Sequence, residues 1–397
     1  PITTSGNTLT SEMKWLPAFG LNFTTYVDGL SLLFGLLITG IGSLVILYSI
    51  FYLSRQREEL HNFYVYLMLF MGAMLGVVFS DNVIVLYVFW ELTSISSFLL
   101  IASWYQRRKS RDGAQKSMLI TIFGGLSMLA GLLLLSLITD TYSIREMISK
   151  AGSLPEHTLF LPAMILILLG AFTKSAQFPF SFWLPDAMEA PTPISAYLHS
   201  ATMVKAGIYL VARLTPVFGG QAVWFWTVSL IGIVTLLYGS WNAVRQRDLK
   251  ALLAYSTISQ LGLIMSLLGL GSAAIYFGYG DESKVYAIAI MAAVFHLVNH
   301  STFKGSLFMV VGIIDHETGT RNLQRLGGLM SLMPISFTIT MIGSFSMAGL
   351  PPFNGFLSKE MFFTGVVNAS GMDIFGMGTF GVIFPVVAWA ASVLTFV

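Results

Sequence analysis

Long apolar runs, separated by short polar stretches, fill the chain from residue 28 onward, whereas residues 1–27 are mixed in character and predict a surface segment. Most runs are close to the roughly 20 residues with which an α-helix crosses about 30 Å of hydrocarbon. They do not alternate between apolar and polar residues, as the strands of a membrane barrel do. The pattern predicts helical spans at 28–53, 62–80, 82–105, 113–138, 159–190, 195–213, 222–244, 250–270, 286–314, 331–367 and 374–397.

Two of these runs are too long for one helix and contain helix-breaking residues. Proline removes an amide donor and clashes with the preceding turn, and irregular backbone at membrane depth is tolerated only inside protein or beside a wet cavity. We predict discontinuous helices at 175–194 and 349–356, with simply kinked helices as the alternative. The breakers are Pro179, Pro185, Pro191 and Pro193 in the first run, and Gly349, Pro351, Pro352 and Gly355 in the second.

The composition is that of a membrane protein. Hydrophobic residues make up 55% of the chain and charged residues only 10%, whereas a soluble domain carries about 25% charged residues. The absence of cysteine excludes disulfides, thiolate metal sites and iron–sulfur ligation. We predict an all-α polytopic membrane protein with about 11 transmembrane crossings. Because it starts at Pro1 and stops at Val397 inside an apolar run, we expect a piece of a longer protein.

Lysine and arginine are concentrated in alternate loops. If the first span runs from outside to inside, the inner loops, which include Lys250, carry most of the loop cations. This distribution fits the positive-inside rule and counts each broken run as one crossing. We therefore expect a multi-pass protein of the bacterial cell membrane, with Asp186 and Glu189 as a candidate inner mouth of the first half.

Four lysines and one glutamate lie inside the apolar runs rather than in loops. A charged side chain at the bilayer centre costs about 2.5–3.5 kcal/mol on insertion scales. Their presence indicates that ions or protons move past them. The five residues are Glu91, Lys174, Lys205, Lys304 and Lys359.

Glu91 and Lys174 belong to the first half of the chain, and each is costly alone near mid-membrane. Ser94, within a turn of Glu91, offers a hydroxyl that can hydrogen-bond or hold water. A buried lysine can release its proton when a neighbouring charge changes, so we predict a switchable ion pair. The alternatives are a structural glutamate that clamps a neighbouring helix and a lysine that snorkels to the interface.

Three titratable residues follow one another at a spacing of four: His296, His300 and Lys304. Side chains at this spacing lie about 5–6 Å apart on one helix face, close enough for a water-bridged proton relay, and histidine titrates near neutrality. A packing or hydrogen-bonding role is one alternative. A metal site is another, although no Asp, Glu or Cys of that span completes a ligand set. His199 and Lys205, six residues apart, lie on different parts of their helix surface.

Lys359 follows the second break, where water in the break can reach its side chain. We predict that it ends the path on the outer side, with snorkelling as the alternative; its neighbour Glu360 lies on a different helix face. The chain has no phosphate-binding glycine loop, no nucleophile elbow and no pair of haem ligands. We expect no cofactor, no resident metal and no nucleic-acid partner.

The chain resembles a known family, the antiporter-like subunits shared by Mrp-type cation/proton antiporters and the proton-pumping respiratory complex I. The likeness covers nearly the whole chain, which is most similar to the N-terminal part of the A-type Mrp subunits. It rests on the segments "FPFSFWLPDAMEAPTPISAYLHSATMVKAGIYLVAR", "FWELTSISSFLLIASWY" and "NHSTFKGSLFMVVGIIDHETGTRN". It implies two inverted five-helix repeats, each with a proline-broken helix, at 62–213 and 222–397, after an outer segment and first span at 1–61. It also implies that helices before Asp28 and a long C-terminal continuation are absent from this sequence.

The resemblance further implies a role for each buried ionisable residue. Many relatives carry histidine where this chain has Ser181, so a proton step there would need water or the serine hydroxyl. The implied proton path consists of Glu91 and Lys174 as the pair of the first half, Lys205 as the link, His296, His300 and Lys304 as the central stripe, and Lys359 as the terminal lysine.

The leading hypothesis is a transporter rather than an enzyme. It is a subunit of a multisubunit sodium/proton antiporter driven by the membrane potential, with other antiporter subunits and the lipid bilayer as partners. The alternative is a proton-pumping L-type subunit of a respiratory NADH dehydrogenase or a related membrane oxidoreductase, whose redox cofactors lie in other chains. A third hypothesis is a scaffold subunit that has kept the fold without transporting ions.

Overall fold

The computed structural model describes residues 8–16, 21–54, 60–277, 281–371, 375 and 381–396, so part of the predicted last span lies outside the described residues. Helices dominate, as the apolar runs predict. They are α1 (Gly29–Tyr52), α2 (Leu60–Phe79), α3 (Val83–Ile101), α4 (Arg108–Thr139), α5 (Ile144–Ser149), α6 (Phe160–Lys174), α7 (Trp183–Asp186), α8 (Thr192–Ser200), α9 (Ala206–Phe218), α10 (Ala222–Val244), α11 (Leu249–Gly271), α12 (Ala273–Phe277), α13 (Asp281–Thr318), α14 (Leu329–Leu332), α15 (Pro334–Ala348), α16 (Asn354–Ser370) and α17 (Ile383–Phe396).

The N-terminal segment forms an antiparallel hairpin of β1 (Leu9–Leu16) and β2 (Leu21–Val27), an element that we did not predict from the sequence. The hairpin leads directly into α1 through Asp28. The Asp28 carboxylate accepts from the Ser31 amide at 2.9 Å, and the Asp28 amide donates to Ser31 Oγ at 2.8 Å. This reciprocal capping box satisfies amide donors at the start of the first span.

The described residues contain eight helical segments that are long and apolar enough to cross a membrane, together with three shorter apolar helices. This confirms the predicted class of polytopic α-helical membrane protein. The number of crossings and the division into two inverted repeats remain predictions. The three shorter helices are α6, α15 and α17.

The first proline-rich run ends a helix inside the protein. Helix α6 stops at Lys174, and the chain then continues to Glu189 through irregular backbone and short turns. Ala176 adopts a φ of 49°, in the left-handed region that a non-glycine residue rarely occupies. The Phe178 amide, freed from the helix, donates to Thr235 Oγ1 of α10 at 2.9 Å. The irregular backbone thus finds hydrogen-bond partners within the protein, which is what such backbone needs in a membrane protein.

The second break separates α15 from α16. Helix α15 ends at Ala348, and Gly349 follows it with a φ of 81°, the left-handed conformation typical of the residue that ends a helix. A side chain on Gly355, in the first turn of α16, would collide with the carbonyl of Ser346 in α15. The two half-helices therefore approach closely only because this position is glycine.

The span predicted as one helix over 195–213 is interrupted, which corrects the prediction. Helix α8 ends at Ser200, a 3-10 turn covers Met203–Lys205, and α9 begins at Ala206. The Thr202 hydroxyl donates to the carbonyl of Tyr197 at 2.8 Å. A side chain that competes for a backbone acceptor in this way weakens the helical ladder without any proline.

The core of the molecule lies around this interrupted span and α11. In each of these two spans, 89% of the most apolar 18-residue stretch is buried inside the protein, compared with 33% for α1. Helix α10 packs against α11 at very short distance: a side chain on Gly262 would collide with the backbone amide of Leu236. The two central spans are therefore shielded from lipid, and polar side chains on them face other helices.

Candidate functional site

Glu91 and Lys174 meet around Ser94, between α3 and α6. Lys174 is the last residue of α6, and its Nζ donates to Ser94 Oγ at 2.7 Å and to the carbonyl of Trp90 at 3.3 Å. Nζ also lies 5.3 Å from the centroid of the Trp90 ring, a favourable position for a cation. Ser94 Oγ in turn donates to the carbonyl of Trp90 at 3.4 Å, and the Glu91 carboxylate lies close enough for its charge to act on Lys174. The lysine, its serine acceptor and the glutamate therefore lie together between these two helices.

The Glu91 carboxylate projects into a space made by two consecutive glycines of α4. A side chain on Gly125 would collide with Glu91 Oε1, and one on Gly124 would collide with Thr173 Oγ1 of α6. Among the described residues, Glu91 Oε1 has no hydrogen-bond partner although it is buried. This carboxylate oxygen is thus left available in a confined space.

Lys205 connects the interrupted span to the long helix α13. It ends the 3-10 turn Met203–Lys205, and its Nζ donates to the carbonyl of Leu297 at 2.9 Å and to the hydroxyl of Ser301. His199, on α8, lies apart from it with its ring 6.2 Å from the Phe308 ring. Neither nitrogen of His199 has a partner among the described residues. The interruption separates these two side chains, which the predicted continuous helix placed on one element.

His296, His300 and Lys304 are all buried on α13, but each has a different environment. His296 bridges three helices, with Nδ1 2.9 Å from Ser358 Oγ of α16 and Nε2 2.8 Å from Gln260 Oε1 of α11. The Ser358 hydroxyl also lies 3.1 Å from the carbonyl of Gly355 in its own helix, so both ring nitrogens of His296 face polar groups of neighbouring helices. Lys304 donates to the Leu253 carbonyl, at 3.3 Å, and to Ser256 Oγ, both on α11.

His300 lies between these two residues and has neither ring nitrogen paired among the described residues. It is fully buried, and its nearest charged neighbours are Lys205, Lys304 and His296. Its ring packs 5.6 Å from that of Phe303. A histidine with two unmet nitrogens between two lysines is placed to exchange a proton with either side through water.

Three of the buried lysines end in the same kind of site on a neighbouring helix. Each ammonium donates to a serine hydroxyl and to a backbone carbonyl three or four residues earlier, to which that hydroxyl also donates. Neutral oxygens therefore solvate the ammonium group, and only Lys174 has a carboxylate, that of Glu91, nearby as well. The lysine, serine and carbonyl sets are Lys174, Ser94 and Trp90; Lys205, Ser301 and Leu297; and Lys304, Ser256 and Leu253.

Lys359 lies at the second break. Its Nζ donates to the carbonyl of Ala348, the last residue of α15, at 3.0 Å. A Cβ on Gly349 would lie 2.6 Å from Lys359 Cδ, so the glycine also makes room for the lysine stem. The preceding residue, Ser358, contacts His296, which places Lys359 next to the end of the stripe on α13. The following residue, Glu360, is exposed.

The acidic residues predicted at the inner mouth lie in a cluster of ion pairs. Asp186 pairs with Lys116 at 2.5 Å, and Arg321 lies 3.6 Å from Glu189 and 3.1 Å from Asp248. Lys250, predicted in an inner loop, is instead buried in the first turn of α11 and donates to the carbonyl of Ala190 at 2.9 Å. It was missed as a buried cation because it begins its helix, where a loop lysine is expected.

The outer end of the interrupted span is tied to the N-terminal hairpin. Arg213 of α9 makes a two-point ion pair with Asp28, at 2.5 and 2.9 Å, and its Nε donates to Tyr209 at 3.2 Å. Burial alone would raise the pKa of the Asp28 carboxyl, but the bonds from Arg213 and Ser31 outweigh burial and lower the pKa to about 2. Asp28 therefore stays ionised and anchors this end of the span.

Several buried polar groups along this line were not predicted from the sequence. Gln260 belongs to an apolar helix and became notable only through its contact with His296. Ser175 and Gln177 follow Lys174 in the first break, and both are fully buried. Serine and glutamine carry no charge, so composition at membrane depth gives little signal for them. Ser181, the departure from the family pattern, is buried in the 3-10 turn Phe180–Phe182.

Two family descriptions match the chain. Residues 80–385 match the transmembrane family described as NADH:quinone oxidoreductase/Mrp antiporter. Residues 15–64 match the N-terminal region of chain 5 of NADH-ubiquinone oxidoreductase, complex I. The first match alone covers more than half of the chain.

Among proteins of known name, the chain is similar to the A-type subunit of the Na⁺/H⁺ antiporter of Alkalihalophilus pseudofirmus, at 68% identity over 395 residues. It is 66% identical over 396 residues to the protein of the same name from Bacillus subtilis. In both comparisons the whole chain is covered, and it spans 49% of the relative. Among solved structures it is similar to a chain of the Mrp complex from a Dietzia species, with 38% identity and a TM-score of 0.88, covering 100% of this chain and 41% of that one.

Proposed function

Because the chain belongs to the NADH:quinone oxidoreductase/Mrp antiporter family of membrane proteins, we propose that it is the proton-conducting part of a sodium/proton antiporter subunit. The names of its relatives support the antiporter branch of the family. The chain spans about half the length of these relatives, so the complete activity belongs to a longer protein. Its partners are the other subunits of a membrane antiporter complex, and its transported ions are protons and Na⁺.

One observation carries the proposal: the two halves of the chain are joined through a buried lysine. Lys205, in the interrupted span, reaches Leu297 and Ser301 on α13. On the near side, the end of α6 with Lys174 packs against the first turn of α9. On the far side, α13 carries His296, His300 and Lys304. A proton on Lys205 therefore lies between the helix that ends at Lys174 and the helix that carries the three titratable residues of α13.

The proposed path uses the titratable residues in the order in which the fold places them. Protons enter from the inner mouth near Asp186 and Glu189, and the Glu91–Lys174 pair controls the first half. Loading Glu91 with a proton removes its attraction for Lys174, which then releases a proton toward Lys205. The proton continues to His300 and onward through Lys304 or His296. Lys359, beside Ser358 and the carbonyl of Ala348, ends the path toward the outer side.

The membrane potential is sufficient to drive such a relay in steps. Moving one elementary charge through 100 mV changes its free energy by about 2.3 kcal/mol, which is similar to the cost of about 2.5–3.5 kcal/mol for one charge at the bilayer centre. Each transfer between neighbouring groups therefore needs only a fraction of the potential. We place the coupled Na⁺ movement in the complete complex rather than on named residues of this chain.

The second candidate is a proton-pumping L-type subunit of a respiratory NADH dehydrogenase or related oxidoreductase. It is supported by the same family membership, since the family description names both activities. Identification of the copurifying subunits by mass spectrometry separates the two. Small antiporter subunits would support the antiporter, whereas flavin and iron–sulfur subunits would support the respiratory complex. The third candidate is a scaffold subunit that transports no ions. If the chain is a scaffold, Glu91→Gln leaves transport by the complex unchanged.

The decisive experiment removes the centre of the path. We expect the double substitution His300→Ala and Lys304→Ala, in the full-length subunit within its assembled complex, to abolish Na⁺-dependent proton movement in vesicles. The control is His316→Ala on the same helix, because the His316 side chain is 62% exposed and lies at the inner end of α13. Wild-type antiport by the assembled double variant would refute the proton path.

A further inference from the structure

The two lysines on either side of the first break point away from each other. Lys174 directs its ammonium to Ser94 on α3, and Lys205 directs its ammonium to Ser301 on α13. The two ammonium groups thus end on different helices, although α6 and α9 contact each other directly at Ala171 and Gly207. A proton passed from one lysine to the other must cross this contact, and neither lysine, as placed, spans it.

Two polar side chains are incompletely hydrogen-bonded here: Ser175, at this contact, and Gln177, which is bonded to the Ser175 carbonyl. Ser175 Oγ and Gln177 Oε1 are buried, and neither has a hydrogen-bond partner among the described residues. Gln177 is held in place because its Nε2 donates to the Ser175 carbonyl at 3.0 Å. A buried hydroxyl or amide oxygen without a partner costs free energy that an ordered water can recover.

Ser175 also faces the backbone that follows Lys205. A Cβ on Gly207, two residues after Lys205, would collide with Ser175 Oγ and with the Ala171 carbonyl. Because Gly207 has no side chain, the serine hydroxyl can reach the first turn of α9. The hydroxyl therefore lies between the residue next to Lys174 and the residues next to Lys205.

We propose that Ser175 and Gln177 hold the water that carries the proton from Lys174 to Lys205. The serine hydroxyl both donates and accepts, so it can lie within a chain of proton transfers, whereas the Gln177 carbonyl oxygen orients the water. In the step, Lys174 gives a proton to the water as the water gives one to the neutral amine of Lys205. No electrons move, and the water is regenerated. This role deepens the proposed proton path and rests on it.

The test uses the full-length subunit in its assembled complex, reconstituted in vesicles. Ser175→Ala removes only the hydroxyl, and Gln177→Met removes the acceptor at similar side-chain length. We expect each to slow Na⁺-dependent proton movement at least about fivefold, in line with the loss of a water-mediated hydrogen bond, and to increase the solvent deuterium isotope effect.

The matched control is Ser229→Ala, because the Ser229 hydroxyl is also buried without a partner among the described residues but lies on α10 against Gly269. It should keep the wild-type rate. Rates within twofold of wild type for Ser175→Ala would overturn the water site, provided that His300→Ala with Lys304→Ala is inactive in the same assay. If that double variant is also active, the proton path itself fails. Electron cryomicroscopy of the wild-type complex should show ordered water within hydrogen-bond distance of Ser175 Oγ and Gln177 Oε1. A map without water density at this place would equally overturn the assignment.

Discussion

Glu91 lies in the space that Gly125 leaves by having no side chain. Its Oε1 lies where the Cβ of any other residue at position 125 would be. This relationship explains how α3 and α4 pack closely while a charged group remains between them. It also means that the glycine, and not only the glutamate, determines where the carboxylate can go.

We predict that Gly125→Ala slows antiport by forcing the Glu91 carboxylate out of the space beside Gly125. Overpacking of this kind costs about 1–3 kcal/mol, which the complex should tolerate well enough to assemble. The measurement is Na⁺-dependent proton movement in vesicles. Gly72→Ala on α2 is the control, because nothing lies within 4 Å of its Cβ position. Equal rates for Gly125→Ala and wild type would argue against a confined carboxylate.

We predict that Ser256→Ala impairs transport through Lys304. The substitution removes the hydroxyl that accepts from the Lys304 ammonium, and hydrogen bonds to charged groups contribute about 1.5–3 kcal/mol. The antiport rate should fall about tenfold or more, since about 1.4 kcal/mol corresponds to a factor of ten. Ser266→Ala on the same helix is the control, because among the described residues the Ser266 hydroxyl bonds only to the carbonyl of Leu263. A loss of similar size in both variants would indicate a general packing effect.

The outer ion pair should make stability depend on pH in the acid range. The pKa of Asp28 is lowered from its ordinary value of 3.8 to about 2 in the folded protein. The unfolded chain therefore takes up this proton first, so the stabilisation is complete above about pH 4 and is lost as the pH falls toward 2. We predict that Asp28→Asn lowers the Tm at pH 7 and that the difference from wild type shrinks below about pH 4.

This prediction is checked by melting curves of the purified full-length complex between pH 3 and pH 8. Glu156→Gln, in an exposed loop, should leave the Tm unchanged throughout. A difference between wild type and Asp28→Asn that is the same at pH 3 and pH 7 would contradict the assignment of the stabilisation to an ionised Asp28.

We predict that Lys359→Ala removes the outer end of the proton path. The ammonium lies on the Ala348 carbonyl at the break, and alanine can neither fill that position nor carry a proton. Antiport should fall to background while the complex still assembles. The adjacent substitution Glu360→Gln should have little effect because Glu360 is exposed. Wild-type rate and apparent sodium affinity for Lys359→Ala would exclude it from the path.

The sequence predicted those features that act through covalent geometry or through charge. The prolines indicated a break after Lys174, where α6 does end. The buried lysines could be found because a charged residue in an apolar run is conspicuous. The interruption after Ser200 could not be predicted in the same way. The Tyr197 carbonyl accepts from the Thr202 hydroxyl at 2.8 Å and from the Ala201 amide at only 3.4 Å, and tertiary packing decides whether such a side-chain bond weakens a helix.

The hydrogen-bond partners of the buried cations were equally hidden. A spacing of four correctly placed His296, His300 and Lys304 on one helix, but it did not show that His296 faces Gln260 while Lys304 faces Ser256. Such partners lie on other helices, and a single sequence does not contain the helix packing that brings them together.

The uncharged surroundings of Lys205 and Lys304 have a consequence for how quickly charge can cross the membrane. A carboxylate partner, such as Glu91 beside Lys174, holds a proton in a deep minimum, and the slowest step is escape from it. The serine and carbonyl oxygens around Lys205 and Lys304 instead make minima of comparable depth. Such a free-energy profile is nearly level, so a modest voltage tilts it in either direction. The same chain of sites can then carry current inward or outward, and the direction is left to the ion gradients.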